Sequence, residues 1–311
     1  MRPLSVSGLA TFAQCPLRWR FIHVDHFREA PQGSGNLGTA VHAGIEAWNR
    51  RPTDAPIGVE PLLAAFHEAW DDEGFDTPEA AQAAKTEGER LLREFHARHQ
   101  DTLRPLSVER RFIMKWDGVT VQGVADAVLP LPGGGVEIVD YKTTRHPITE
   151  RTVAESDQLT LYQVAAEREW GYRVEKLTLY HVRTQTPVTA PRRSEEQVRA
   201  LWQRLNTVKE AVEKKRLPPR MGAHCPCEFA NRCPYFAPSF QFSLGGEYRQ
   251  PVGKALGALA LLAPGAPERK GLEAEILEFL QRENLPRLYG ETHLAERLPD
   301  GSLVVRERDD L

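Results

Sequence analysis

No stretch of the 311 residues approaches the roughly 18 to 20 consecutive apolar positions that a membrane-spanning helix needs. The opening Met1-Arg2-Pro3-Leu4-Ser5 has no apolar stretch of signal-peptide type. A membrane partner is therefore not expected, and the chain is placed in the cytoplasm. No G-x-x-x-x-G-K-[ST] run occurs, which excludes an ATP motor of the usual P-loop kind from this chain. There is no internal repeat. Disorder as a general state is excluded by a hydrophobic content of 41%. Cysteine is scarce: Cys15 stands alone, and Cys225, Cys227 and Cys233 fall together. In a reducing compartment such a cluster binds metal more readily than it forms disulfides, and four thiols are what one tetrahedral zinc or one iron–sulfur cluster requires. Excess charge of one sign is also missing, since the formal net is only −3. Its distribution is uneven: residues 41–100 hold 6 basic against 12 acidic side chains, and residues 141–220 hold 16 against 10. That asymmetry suits either a basic nucleic-acid face or ordinary solvated helices.

What is present reads as a mixed chain. Leu9, Phe12, Cys15 and Trp19 predict a helix within residues 5–30, closed by the glycine-rich stretch Pro31 to Gly38. Val41, Ile45 and Trp48 predict a second helix from Thr39, and residues 61–70 and 77–100 two more. Pro105 marks a change, and residues 108–143 have a β pattern with a turn at Leu131-Pro132-Gly133-Gly134-Gly135. Helices are expected at 156–169 and 194–216 around a strand at 176–182, the latter helix opening on a Ser194/Gln197 capping box. Beyond the cysteines, residues 250–311 carry an Ala/Leu-rich stretch, a helix at 268–283 and a hairpin about Pro299-Asp300-Gly301. We divide the chain into a main domain at 1–245 and a small C-terminal subdomain at 246–311.

The turn at 132–135 sets a register in which Asp126 faces the stretch around Tyr141, close to Asp140 and Lys142. Asp140 and Lys142 share a face because side chains alternate along a strand. Two carboxylates and one ammonium then occupy a small volume. Carboxylates are preferred ligands of Mg²⁺ or Mn²⁺, and a lysine beside them orients a nucleophile or stabilises developing charge, which is the chemistry of phosphodiester hydrolysis. A salt-bridged hairpin is the other reading that spacing alone allows.

Gly123-Val124-Ala125-Asp126 and Asp140-Tyr141-Lys142-Thr143 resemble motifs II and III of the PD-(D/E)xK nuclease superfamily, in its RecB-like branch. Gly38-Thr39-Ala40-Val41-His42 resembles that branch's upstream GxxxH motif, and Gln158-Leu159-Thr160-Leu161-Tyr162 its QxxxY motif. The four occur in order over residues 4 to about 240. The resemblance implies a restriction-endonuclease-like α/β fold: a mixed sheet flanked by helices, here with a small C-terminal α+β appendage. It implies Mg²⁺ or Mn²⁺ held by His42, Asp126, Asp140 and the Tyr141 carbonyl, with Asp126, Asp140 and Lys142 catalytic and Gln158 and Tyr162 meeting DNA. The implied activity is that of a metal-dependent DNA nuclease, an exonuclease on single strands or ends, acting in repair or recombination with a possible helicase partner. A non-catalytic DNA-binding or scaffolding subunit of a helicase–nuclease complex is the alternative.

AddB-like relatives in that branch carry one early cysteine and a C-terminal trio around a [4Fe–4S] cluster. The resemblance implies the same for Cys15, Cys225, Cys227 and Cys233. The chain departs from the pattern, because Cys225 stands one residue closer to Cys227 than the usual C-x-x-C, with His224 in the expected place. Zn²⁺ in place of the cluster, and His224 in place of Cys225, both stay open. Arg18, Trp19, Arg20 and Phe21 fit either a stacking surface for single strands or a core with surface arginines. Glu109, preceding the hairpin, could add a further carboxylate, but it is read as an exposed strand residue and left out of the site.

Overall fold

The alternating helical and strand periods resolve, in the computed structural model, into a five-stranded sheet of order β1-β2-β3-β4-β5 and a separate three-stranded sheet near the C-terminus. The structure describes residues 3–27, 33–52, 58–220, 222–225, 227–233, 250–263, 266–282, 285, 287–289, 293–298 and 300–307. Among these, no helix is long and apolar enough to cross a membrane. The chain forms two compact units, one of Met1–Ala10 with Glu29–Arg216 and another of Thr11–Arg28 with Leu217–Leu311. The expected boundary at 245/246 lies outside the described residues.

In the first unit β1 (Ser107–Trp116), β2 (Val119–Pro130) and β3 (Val136–Lys142) form an antiparallel meander. Its first turn is Asp117-Gly118, both residues at positive φ, the conformation a two-residue hairpin needs. β4 (Val174–His181) runs parallel to β3, and α6 (Glu150–Ala154) and α7 (Asp157–Arg168) make the crossover. β5 (Thr186–Pro191) pairs antiparallel with β4 at the sheet edge. It escaped sequence reading because it is largely exposed and lacks an apolar alternation. The expected mixed α/β core is present.

β3 buries Ile138, Val139, Asp140 and Tyr141 in succession, so both sheet faces are covered there. On one face Val41, Ile45 and Trp48 of α3 (Gly33–Asn49), Leu62 and Phe66 of α4 (Glu60–Glu68), and Leu91, Leu92 and Phe95 of α5 (Pro78–His99) pack with Ala127, Val139, Tyr141, Tyr180 and Val182. Each such large side chain contributes about 1.5–3 kcal/mol by leaving water. α7 packs against β2, β3 and β4, and α8 (Glu195–Glu213), which opens on the expected capping box, packs against α7.

Two helix expectations need correction. The first helix is two, α1 (Val6–Gln14) and α2 (Pro16–His23), because Pro16 disfavours helical backbone at Cys15, which is extended at φ −155. α3 begins at Gly33 rather than Thr39. Glycine there serves close packing: a Cβ at 33 would stand 2.5 Å from the Phe75 ring, and one at 38 would stand 3.1 Å from Thr143 Oγ1.

In the second unit α9 (Gln250–Leu261), α10 (Arg269–Arg282) and the meander β6 (Arg287–Tyr289), β7 (His293–Arg297) and β8 (Leu303–Glu307) enclose Leu256, Leu259, Ile276, Phe279, Leu280, Leu288 and Ala295. The expected appendage of helix and hairpin is thus seen, with a further helix and strand.

The α3–α4–α5 seam is tight at Gly44, where a Cβ would lie 2.6 Å from Leu92 Cδ1 and 2.9 Å from the Leu62 carbonyl oxygen. Gly44→Val should destabilise the fold by about 1–3 kcal/mol through overpacking. An unchanged denaturant midpoint would show that the seam yields without cost.

Candidate metal and nucleic-acid site

β2 and β3 stay paired from Pro130↔Val136 to Ala127↔Val139 and then part. One step on, where Asp126 and Asp140 would be partners, the ladder is replaced by a side chain. Asp126 Oδ2 accepts a hydrogen bond from the Tyr141 amide at 2.9 Å. The register sequence reading expected, within a residue or two, is found, and the carboxylate lies in the fork of the strands.

His42 reaches this fork from α3, its Nδ1 being 3.5 Å from Asp126 Oδ2. Val41, Ile45 and Trp48 bury the helix, and His42 stands beside that stripe, one-third exposed. Its ring also hydrogen-bonds the Tyr141 backbone, and burial draws its pKa below the ordinary histidine value. A neutral imidazole is the form that binds metal. Tyr141 itself is buried under the site, with its hydroxyl accepting from Asn49 Nδ2 at 3.2 Å.

On β3, Lys142 Nζ lies 2.6 Å from Asp140 Oδ2 and donates to Gln158 Oε1 at 2.8 Å. Gln158 Nε2 in turn donates to the Tyr162 hydroxyl at 2.7 Å. The pair on α7 therefore engages the lysine before any ligand. Burial and the nearby Asp140 charge push the Tyr162 hydroxyl far above its usual pKa, so it keeps its proton and can donate it to a phosphate oxygen. Gly123 makes room for that ring, since a Cβ there would be 3.1 Å from Tyr162 Cε1.

The structure adds a residue that sequence reading set aside. Glu109 is half-buried, not exposed, and lies on β1 between the pairs Val108↔Ala127 and Arg110↔Ala125, level with Asp126. One ligand atom each from His42, Glu109 and Asp126 falls within 4.8 Å of the others. Its φ of +48 is a left-handed value that a glutamate adopts at a cost of about 1–2 kcal/mol. No motif spacing encodes that conformation, so no sequence signal pointed to it. Burial, with Glu46 and Asp140 adding like charge, raises the Glu109 carboxyl pKa.

The donor set fits a divalent cation. Asp140 is 1% exposed, and its Oδ2, though close to Lys142, has no partner in hydrogen-bonding geometry. Three carboxylates, one imidazole and one ammonium leave the pocket short of positive charge. Asp126 bears the consequence, its pKa being raised well above the aspartate range by burial and then by Asp140.

The cysteines lie in the second unit, and none is in a disulfide among the described residues. Cys15 caps α2, and its Sγ accepts from the Arg18 and Arg220 amides at 3.5 and 3.4 Å. Cys225 Sγ lies 3.9 Å from the Arg220 carbonyl oxygen. Cys15 and Cys227 belong to one apolar cluster with Leu17, Phe21 and Phe229. His224 Nε2 is buried without a hydrogen-bond partner. Among the described residues, no three cysteine or histidine ligand atoms here come within 4.8 Å of one another. Trp19 and Phe21 are buried, and Arg18 and Arg20 pair with Glu228 and Asp25, so this segment is core with surface arginines.

The sequence model of the PD-(D/E)XK nuclease superfamily matches residues 3–235. No curated protein matches the chain in sequence. Among solved structures, a candidate exonuclease from Eubacterium rectale is similar at 12% identity and a TM-score of 0.48, over 72% of this chain and 86% of that one. SSO0001 is similar at 14% identity and a TM-score of 0.33, over 74% of this chain and 96% of that one.

A carboxyl whose pKa is raised by folding binds a proton that the unfolded chain has lost, so it contributes stability that falls as pH rises from the aspartate range through the raised value. Metal-free Asp126→Asn should therefore melt higher than wild type at neutral pH, with the difference shrinking on acidification. Mn²⁺ should raise the wild-type melting temperature far more than that of the variant. A variant melting below wild type without metal would mean that the charge is already compensated.

Proposed function

The chain belongs to the PD-(D/E)XK nuclease superfamily, and from that membership we propose that it is a Mg²⁺- or Mn²⁺-dependent deoxyribonuclease, an exonuclease acting on single strands or DNA ends in repair or recombination. The observation that carries this reading is the fork between β2 and β3, where Asp126, Asp140, Lys142 and His42 converge. A structural salt bridge would need only the Asp140–Lys142 pair. It would not call for His42 and Glu109 beside Asp126.

His42, Asp126 and Asp140, with the Tyr141 carbonyl, would hold the cation, and Glu109 joins them as a further ligand. When bound, the cation supplies Lewis acidity that draws charge from the phosphorus and makes a water more nucleophilic. Lys142, fixed between Asp140 and Gln158, orients that water and offsets negative charge as the phosphorus becomes five-coordinate. Tyr162 donates its hydroxyl proton to the substrate phosphate, and Gln158 keeps both Lys142 and Tyr162 in register. The low pKa of His42 keeps the imidazole ready to bind metal at neutral pH.

We assign the chain to the RecB-like branch on its four ordered motifs, and Cys15, Cys225, Cys227 and Cys233 to a [4Fe–4S] cluster of AddB type, with Zn²⁺ the competing metal. The Arg18 and Arg220 amides aimed at Cys15 Sγ suit a ligand sulfur, and His224, whose buried Nε2 has no hydrogen-bond partner among the described residues, is the alternative to Cys225. Residues 1–245 are the proposed nuclease domain and 246–311 the appended subdomain. A helicase partner and a cytoplasmic location complete the reading.

Cleavage of end-labelled single- and double-stranded DNA with Mn²⁺ or Mg²⁺ tests the catalytic assignment. Asp126→Ala and Lys142→Ala should each lose at least about a hundredfold in rate while still binding DNA. Wild type that binds without cutting would favour the scaffolding subunit, and cutting that survives both substitutions would place the active site elsewhere. For the thiols, anaerobically purified protein should contain iron and absorb near roughly 400 nm, a band that Cys15→Ser abolishes. Zinc without that absorbance would overturn the cluster.

A further inference from the structure

From the acids, an open cleft of about 850 Å³ runs along β1 and β2, lined by Arg111, Ile113, Gln122, Val124 and Tyr162 and walled by Ser5 to Ala10 at the start of α1. The wall is anchored: Leu4 bridges to Val121, with its amide donating to the Thr120 carbonyl and its own carbonyl accepting from the Gln122 amide. We propose that β1 is the track on which one nucleic-acid strand approaches the cutting site, with Arg111 holding a phosphate and Ile113 packing against a base. This rests on the nuclease reading above.

Three observations carry the proposal. Arg111 and Ile113 are alternate residues of one extended strand, following Glu109, and alternate side chains on a strand repeat every roughly 7 Å. That is close to the phosphate-to-phosphate step of an extended single strand, so these two side chains match consecutive nucleotides. The cross-strand partners agree, because Arg111↔Val124 and Ile113↔Gln122 are register pairs and all four line the cleft.

Arg111 is exposed and makes no ion pair among the described residues. Several other arginines of the catalytic unit are held by carboxylates, Arg90 by Glu87 and Glu94, Arg183 by Glu87, Arg192 by Glu167 and Arg204 by Asp157. A cleft cation that feels the Glu109 charge but forms no close ion pair among the described residues suits a phosphate. Ile113 is 66% exposed, the largest exposure of any apolar side chain on this sheet, where its neighbours Phe112 and Met114 are buried. An apolar side chain left in water on the floor of a polar cleft suits a base face, as the apolar wedges of other nucleic-acid binders do.

The test is binding of a labelled oligothymidylate and of a blunt duplex to metal-free protein over a range of salt, with wild-type cleavage assayed in parallel. The variants are Arg111→Gln, Arg111→Lys and Ile113→Thr, with unchanged melting temperatures as the folding control. The expected results are tighter binding of the single strand than of the duplex, and a log–log salt slope shallower by about 0.7 in Arg111→Gln but not in Arg111→Lys. Ile113→Thr should weaken binding by roughly fivefold with no change in slope. Variants that bind as wild type does, while wild type cuts, would overturn the track and leave the nuclease reading standing. Wild type that neither binds nor cuts a single strand would remove both.

Discussion

The site depends on one substitution in a β-ladder: a carboxylate takes the place of a backbone carbonyl. At Asp126 the β2–β3 pairing ends, and the Tyr141 amide, which must be satisfied because it is buried, bonds to a side chain instead of the opposite strand. This holds the fork open without leaving an orphaned donor. It also fixes Asp126 by a hydrogen bond shared with no other side chain. Asp140 and Lys142 then follow from the alternation of β3, and Tyr141, between them, turns into the core and anchors the strand through Asn49.

The cost of the arrangement is electrostatic. Buried carboxylates are tolerated only when charge or hydrogen bonds compensate them. Lys142 is close to Asp140 alone, and His42 is held toward its neutral form, so Asp126 and Glu109 face each other under-compensated. Both are pushed toward the protonated state. The surrounding core makes this bearable: α3, α4 and α5 bury a continuous apolar seam against the same strands. A site that repels itself when empty and is relieved by a dication is preorganised for that ion, and binding then stabilises the fold.

Much of this was legible because it follows from period and register. The turn at 131–135 and the two-residue alternation brought Asp126, Asp140 and Lys142 together on paper, and the spacing of Gln158 and Tyr162 placed both on one side of α7. The rest was set by contacts that a linear pattern does not carry. Glu109 depends on a left-handed backbone within a strand. α3 extends back through Gly38 to Gly33 because Thr143 and Phe75 pack where side chains would be, although glycine's intrinsic preference argues against a helix. β5 is a largely exposed edge strand with a proline near each end and without apolar alternation, recruited by β4 rather than by its own pattern. The cysteines were legible as a set of four, but their mutual geometry was not.

On the proposed β1 track, a single strand is favoured over a duplex by where the few available cations sit. A protein with a net charge of −3 cannot attract nucleic acid by bulk field, so the few cations that are not already paired must be placed where a strand passes. Duplex recognition usually spreads contacts over many phosphates and needs a broad basic face. Here several arginines of the catalytic unit, among them Arg90, Arg183, Arg192 and Arg204, are tied to carboxylates, and the acids proposed to bind metal would repel a backbone approaching without a cation. A strand held on β1 can reach the acids themselves only when the metal, Lys142 and Arg111 together outweigh three carboxylates at one end of a narrow cleft. On the proposed function, metal occupancy would gate the last step of substrate approach as well as chemistry, and the same carboxylates that destabilise the empty site would protect it from unproductive contact with nucleic acid.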